Sequence, residues 1–279
     1  MHFEMNGRLM NILCVGDIVG KPGREAFLGL FGKLKEELSV DFCVVNGENA
    51  AAGAGITSKL AQQLLDGGCD VITLGDHAWD QKELRPFLEM SDRIIRPANF
   101  PEGAPGRGWV IHQLHDGTKI AVINLIGRVF MRYQVDCPFK AADRLLKELK
   151  GQADVIIIDF HAEATSEKVA FGHYVSGRVS AVIGTHTHIP TADAKILGGK
   201  TAYITDMGMT GPYDSVIGQK IDQILSRFLT SLPNRFQVAQ GDVRLNGVLV
   251  SVDSSTGNAE KILRIEKNFE HKKEPLSSD

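Results

Sequence analysis

Short apolar runs that stop on a polar residue recur along this chain, alternating with segments whose apolar residues fall at helical spacing. Residues 10–16 (MNILCVG) read as a buried strand, because a short apolar run closed by glycine fits a strand covered on both faces. Pro22-Gly23 marks a break, after which Phe27, Leu30, Phe31 and Leu34 define a helical face over 24–38. A second strand is expected at 42–46. Beyond a loop rich in Gly and Ala, Thr57 or Ser58 caps a helix running to about Asp66. Residues 71–75 form a third strand and 81–90 a short helix. Residues 109–114 and 119–125 alternate around Asp116-Gly117 as a hairpin does. A helix is expected at 141–150, with strands at 155–160, 179–185, 202–205, 243–252 and 262–265.

Strands alternating with helices predict an α/β domain with a largely parallel central sheet. The later hairpins predict a second sheet packed against it. The 279 residues are enough for one such domain, expected over 10–267, with flexible tails at 1–9 and 268–279. Met5 and Met10 offer alternative starts. MHFEMNGRLM lacks the basic-then-apolar layout of a signal peptide, and no apolar run approaches the ~20 residues of a membrane span. A cytoplasmic protein without a membrane partner is therefore expected. A net charge of −3 gives no support to nucleic-acid binding. Cys14, Cys43, Cys69 and Cys137 form no C-x-x-C pair and read as small apolar residues in a reducing compartment. Self-association is left open.

Five strand ends carry chemistry. Val15-Gly16-Asp17, Asn46-Gly47-Glu48-Asn49, Leu74-Gly75-Asp76-His77, Asp159-Phe160-His161 and Gly184-Thr185-His186-Thr187-His188 each follow an apolar run with potential metal ligands. Open α/β sheets bind ligands at the carboxyl ends of their strands. Any one of these residues alone reads as a cap, a turn or a structural histidine; all five together point to a metal site. The imidazoles of His186 and His188, one for each of two neighbouring ions, suit a binuclear centre. Carboxylate, amide and imidazole donors without thiolate suit Fe, Mn, Zn or Co.

The order D…GEN…GDH…H…GTHTH resembles the calcineurin-like metallophosphoesterases, and in particular their YmdB-type bacterial branch. The resemblance is carried by GDIVGKPGR (16–24), NGENAAAGAGIT (46–57), GRVFM (127–131), DFHAEATSEK (159–168), GTHTHIPTAD (184–193) and DMGMTGP (206–212), and it spans nearly the whole chain. It implies a four-layer α/β sandwich of two packed sheets flanked by helices. It implies two metal ions per protomer, Fe or Mn foremost, with Zn or Mg as alternatives. Asp17, Asn49 and His188 would hold one ion, Asp76, His161 and His186 the other, with Glu48 bridging and His77 as catalytic acid. Small phosphodiesters, cyclic nucleotides in particular, are the implied substrates. Two departures stand out. Asp17 is followed by Ile18-Val19, so the D-x-H opening of the wider superfamily is missing, as in the YmdB-type branch, and Asn49 stands in. Asp76 occupies a place where Asn is commoner.

Gly16 to Lys21 mimics a phosphate-binding loop but has one residue too few, and Pro22 follows the lysine. Arg24, Arg96 and Arg128 are candidate phosphate contacts; Arg128 is favoured because its loop, 127–138, is long enough to cover the site. A phosphomonoesterase or protein phosphatase on the same ions, and a nucleotide-binding regulator with little turnover, are the competing readings.

Overall fold

A computed structural model describes residues 8–270. The segments 1–7 and 271–279, which hold Met5 and most of the two expected tails, lie outside the described residues. The chain begins with β1 (Leu9–Val15), β2 (Asp17–Ile18), α1 (Gly20–Glu37), β3 (Phe42–Asn46), α2 (Ser58–Asp66), β4 (Val71–Thr73), α3 (Leu84–Met90) and β5 (Ile94–Ile95). It continues with β6 (Trp109–Gln113), β7 (Lys119–Ile126), α4 (Pro138–Glu148), β8 (Val155–His161), α5 (Thr165–Val175), β9 (Ala181–Thr185), β10 (Lys195–Leu197) and β11 (Thr201–Ile204). Last come β12 (Met209–Asp214), α6 (Ile221–Thr230), β13 (Gly241–Asp253) and β14 (Ala259–Asn268). The outermost strands thus take in Leu9 and Asn268, which the pattern assigns to the tails.

Two sheets result, mixed rather than largely parallel. The first runs β2-β12-β13-β1-β3-β4-β5, with β14 also against β13; the second runs β10-β11-β9-β8-β7-β6. Each has a parallel core, β1-β3-β4-β5 and β7-β8-β9-β11, flanked by antiparallel strands. The hairpin at Asp116-Gly117 forms as expected, with Asp116 accepting from the Thr118 N–H. It joins the second sheet, whereas the final hairpin, β13-β14, returns to the first.

Three apolar clusters fill the spaces. Ile12, Phe42, Val44 and Val71 of the first sheet share one with Val122, Val155, Ile157 and Ile183 of the second. Helices α1 to α3 bring Phe27, Phe31, Leu64 and Leu88 to Leu13, Val15 and Ile72. Helices α4 and α5 bring Leu145, Phe171 and Val175 to Ile123, Ile158 and Phe160.

Local chemistry explains the shifted boundaries. Pro22 does not break the chain: it sits in the first turn of α1, where its missing N–H leaves no bond unmade. Pro138 likewise opens α4, three residues before the expected start. Helix α3 begins at Leu84, later than expected. Arg93, Arg96 and Asn99 tie the chain after it through their side chains to backbone carbonyls instead of to a helix ladder. Two helices have no counterpart in the sequence pattern, α5 and α6.

Phe171 anchors α5. Its ring stacks on Phe160 at 4.2 Å and meets Phe139 edge-on at 5.4 Å. Phe171→Ala is expected to cost about 3–5 kcal/mol, as deletion of a buried aromatic ring generally does; urea unfolding of the purified variant measures it.

Candidate metal centre

The two sheets contribute different donors. Asp17, Glu48, Asn49 and Asp76 follow β1, β3 and β4 of the first sheet; His161, His186 and His188 come from β8 and β9 of the second. Carboxylates and amide therefore face imidazoles across the seam between the sheets. The seam is itself hydrogen-bonded beneath the site. Asp159 on β8 accepts from Asn46 Nδ2 at 3.1 Å and from the Thr73 hydroxyl, both on the first sheet, and from Thr185 Oγ1 at 2.6 Å.

Glu48, Asp76, His161 and His186 form a cluster whose ligand atoms lie within 4.8 Å of one another. His161 Nε2 lies 3.1 Å from both Glu48 Oε1 and Asp76 Oδ1, and His186 Nδ1 lies 3.3 Å from Asp76 Oδ1. The partners of the opposite ring nitrogens assign the tautomers. The Thr185 hydroxyl spends its proton on Asp159, so His161 Nδ1–H donates to Thr185 Oγ1, at 2.9 Å. Glu163 Oε2, 3.1 Å from His186 Nε2, can only accept. With a metal ion bound, both rings would turn a lone pair toward the carboxylates; without one, Glu48 and Asp76 favour a proton on His161 over the cost of its burial.

A second group adjoins it. His188 Nδ1 donates to the Ile217 carbonyl at 3.0 Å, leaving Nε2 unprotonated. That nitrogen lies 3.3 Å from Asn49 Oδ1 and 3.9 Å from Asp17 Oδ1. The Asn49 amide is oriented by its own donation to Gly53 O at 3.1 Å. Asp17 Oδ1 is buried and has no hydrogen-bond partner. An orphaned buried carboxylate oxygen, an amide oxygen and an imidazole nitrogen together suit a bound cation.

The electrostatics agree. Burial pushes Asp17 well above the ordinary carboxylate range, and burial holds His188 below the ordinary histidine value, so it stays neutral. Burial also opposes a charged His161, but Glu48 and Asp76 override it and raise that group well above its usual value. The pocket favours positive charge, which a metal ion would supply without displacing any of the hydrogen bonds that orient the side chains.

The two imidazoles of the doublet do point to different groups, for a reason the pattern does not show. In an extended chain, residues two apart share one side. Here His186 and His188 take φ of +95° and +65°, a region costly for residues with a Cβ. Those reversals turn His186 toward Asp76 and His188 toward Asn49. Gly75 provides the other close approach, since a Cβ there would overlap Glu48 Oε2 and His161 Nε2.

His77 borders a cavity of about 270 Å³ together with Glu48, Asn49, Glu163, His186, Thr187, His188, Ile217 and Gln219. Its Nδ1 lies 2.7 Å from Asp80 Oδ2, and Arg132 holds Asp80 from the other side at 3.2 Å. Burial works against protonation of His77, but Glu48 and Asp76, and then Asp80, raise it above its ordinary value. Asp80, Arg132 and Glu163 carry no signal in the sequence, because each acts through a partner brought near by folding alone.

The arginines fare differently. Arg24 is committed to the Ala50 carbonyl, and Arg96 is buried against the carbonyls of Pro97, Ala104 and Pro105. Arg128 is exposed and stands outside the cavity lining; its backbone N–H donates to Glu167.

A mixed α/β fold that brings carboxylates and imidazoles together at its strand ends places the chain among proteins of metallophosphoesterase type. Residues 13–265 match the YmdB-like protein family, and the chain belongs to it. A Bacillus subtilis (strain 168) relative, a 2',3'-cyclic-nucleotide 2'-phosphodiesterase, is 50% identical over 262 residues, covering 94% of this chain and 98% of that protein. The crystal structure of a hypothetical protein from Thermus thermophilus matches with a TM-score of 0.87 at 41% identity, covering 93% of this chain and 99% of that one. The crystal structure of a novel phosphatase from Mycoplasma pneumoniae matches with a TM-score of 0.88 at 34% identity, covering 94% of each chain. Among the described residues no helix is long and apolar enough to cross a membrane.

Gly75→Ala should leave the fold intact while separating Glu48 from His161. Metal content after purification without chelator, read by elemental analysis beside a circular dichroism spectrum, is expected to fall sharply with the spectrum unchanged.

Proposed function

We propose that this chain is a metal-dependent phosphodiesterase that hydrolyses small cyclic phosphodiesters, 2',3'-cyclic nucleotides first among them. One observation supports the reading above the others: buried metal-ligating atoms from both sheets converge beside a cavity of about 270 Å³. Family membership and the 50% identity to a 2',3'-cyclic-nucleotide 2'-phosphodiesterase supply the reaction class. The reading includes a single domain over 10–267, the four-layer sandwich of the calcineurin-like phosphoesterases and a cytoplasmic location. Three buried free cysteines of four fit a reducing compartment.

In this reading Asp17, Asn49 and His188 hold one ion and Asp76, His161 and His186 another, with Glu48 between them. Two such ions, Fe or Mn by donor type with Zn or Mg also compatible, supply an acidified water and neutralise charge on the phosphoryl oxygens. The protein does the rest. Asp80 accepts from His77 Nδ1–H and so presents the opposite N–H to the cavity. The neighbouring carboxylates keep His77 protonated, ready to donate to the departing alkoxide. For a 2',3'-cyclic nucleotide opened at the 2' position, that alkoxide is the ribose 2' oxygen, and the phosphate stays on the 3' oxygen. Gln219 offers a polar group along the cavity wall for the sugar and phosphate.

The test is a substrate panel with metal added back: 2',3'-cyclic AMP, 3',5'-cyclic AMP and 3'-AMP, products resolved by chromatography. Release of 3'-AMP that is not itself consumed is expected; faster turnover of the monoester would establish a phosphomonoesterase, and tight binding without turnover a regulator. On the productive substrate His77→Ala should keep its metals and lose about 10²–10⁴-fold in kcat. The loss should shrink with nitrophenyl esters, whose leaving groups need no proton.

Asp76 tunes selectivity. Its Oδ1 faces both His161 and His186, and those imidazoles outweigh burial to hold its carboxyl far below the usual range. Its negative charge stands where the substrate phosphate must approach, and repulsion rises with phosphate charge. A diester carries one charge, a monoester up to two. Asp76→Asn should therefore weaken retention of one ion and raise kcat/KM for a monoester relative to a diester of the same alcohol. Unchanged selectivity and unchanged metal affinity would show that the ion absorbs the charge.

A further inference from the structure

Lys168 and Asp206 lie in two of the stretches that carry the family resemblance, yet neither takes part in the metal centre described so far. Both are buried, at 1% and 0% exposure. Lys168 reaches in from α5, and its Nζ donates to the Thr185 carbonyl at 2.6 Å and to Asp206 Oδ2 at 2.7 Å. The same oxygen accepts from the Thr187 N–H at 3.0 Å and from the Thr187 hydroxyl at 2.7 Å. Asp206 Oδ1 accepts from the Gly208 N–H at 2.8 Å. Three donors crowd Oδ2 and a fourth engages Oδ1, so the carboxylate is committed to protein donors.

What the pair does hold is the backbone between two imidazoles. Lys168 fixes the carbonyl just before His186, and Asp206 fixes both donors of Thr187, the residue between His186 and His188. This is the segment with two left-handed φ values. L-residues adopt that conformation only where their surroundings impose it. Burying an ion pair is costly, and an apolar pair of similar volume is often equally stable, so packing alone gives no reason for it here. A strained turn gives one: relaxed to an extended strand, 185–188 would put both imidazoles on one side.

The geometry points to Lys168 and Asp206 as positioning residues that hold the 185–188 turn in its strained form, so that His186 faces one ion and His188 the other. This rests on the proposed metal centre. Neither residue touches an ion; each acts through Thr185 or Thr187.

Mn²⁺ titration of chelator-stripped protein by calorimetry, with thermal unfolding in parallel, tests the inference on the full chain. Lys168→Met and Asp206→Leu each leave a buried charge or buried donors alone and should lower Tm. The double variant Lys168→Met/Asp206→Leu removes both charges and the acceptor for Thr187, and should recover most of that Tm without restoring the clamp on Thr187. Its Mn²⁺ affinity is expected to stay about 10–100-fold below the parent, the usual loss when an outer-shell partner is removed. Its electron paramagnetic resonance spectrum should show isolated ions in place of a coupled pair. Parental affinity in a double variant of recovered Tm would overturn the inference. Should the double variant fold poorly, Thr187→Val decides: it deletes one bond to Asp206 at a half-buried position, and Mn²⁺ affinity should fall several-fold, whereas unchanged affinity overturns the clamp. A parent protein that binds no Mn²⁺ at all would instead refute the metal centre itself.

Discussion

Repulsion between buried acceptors is the constraint this protein is built around. Glu48, Asp76 and Asp17 are carried out of water, the first two against imidazole nitrogens, and Asp17 Oδ1 meets no donor at all. Groups so placed ordinarily take up protons or move apart. Protons answer part of the demand, at Asp17 and His161; moving apart is not open, because each group is pinned from behind: His161 through Thr185 and Asp159, His188 through the Ile217 carbonyl, Asn49 through Gly53. The fold holds these ligand atoms together at a cost that a bound cation would offset.

That cost is distributed between the sheets. The first presents anionic and amide oxygens, the second imidazoles, and their apolar faces share one buried cluster. A shift of one sheet over the other would separate Glu48 from His161 before it disturbed either sheet. Asp159, bonded to Asn46 and Thr73 across the seam, opposes such a shift at its most sensitive point. The same carboxylate orients His161, so alignment of the sheets and orientation of a ligand depend on one side chain.

Much of this was legible in the sequence because strand ends announce themselves. Val15-Gly16-Asp17 and Gly75-Asp76 put a glycine between an apolar run and an acid, and the end of the apolar run locates the sheet edge without knowledge of its neighbours. What escaped did so for identifiable reasons. Helix α5 places Lys168 at a buried position beside Phe171 and Val175, so its apolar stripe is interrupted by the residue that anchors the 185–188 turn. Helix α6 buries only Ile224 and turns Leu225, Phe228 and Leu229 outward, so its amphipathic pattern does not match its packing. Asp159 and Asp206 look like ligands by type; only the donors already bonded to them show otherwise. The membership of the final hairpin in the first sheet was hidden because pairing partners about 240 residues apart leave no local trace.

That last pairing bears on biosynthesis. Strand β1, whose end carries Asp17, lies between β3 and β13, and Leu9 pairs with Asp253. All seven donor residues leave the ribosome before β13 does, yet β1 has only one neighbour until β13 arrives. Closing a ladder over so long a loop is slow, and partly paired sheets expose edges in the meantime. The growing chain thus passes through a period in which it carries every ligand but lacks the sheet that aligns them. In the proposed centre, selection of a metal would fall to the finished chain, after the last hairpin has docked, when the spacing of the donors is rigid enough to discriminate one ion from another.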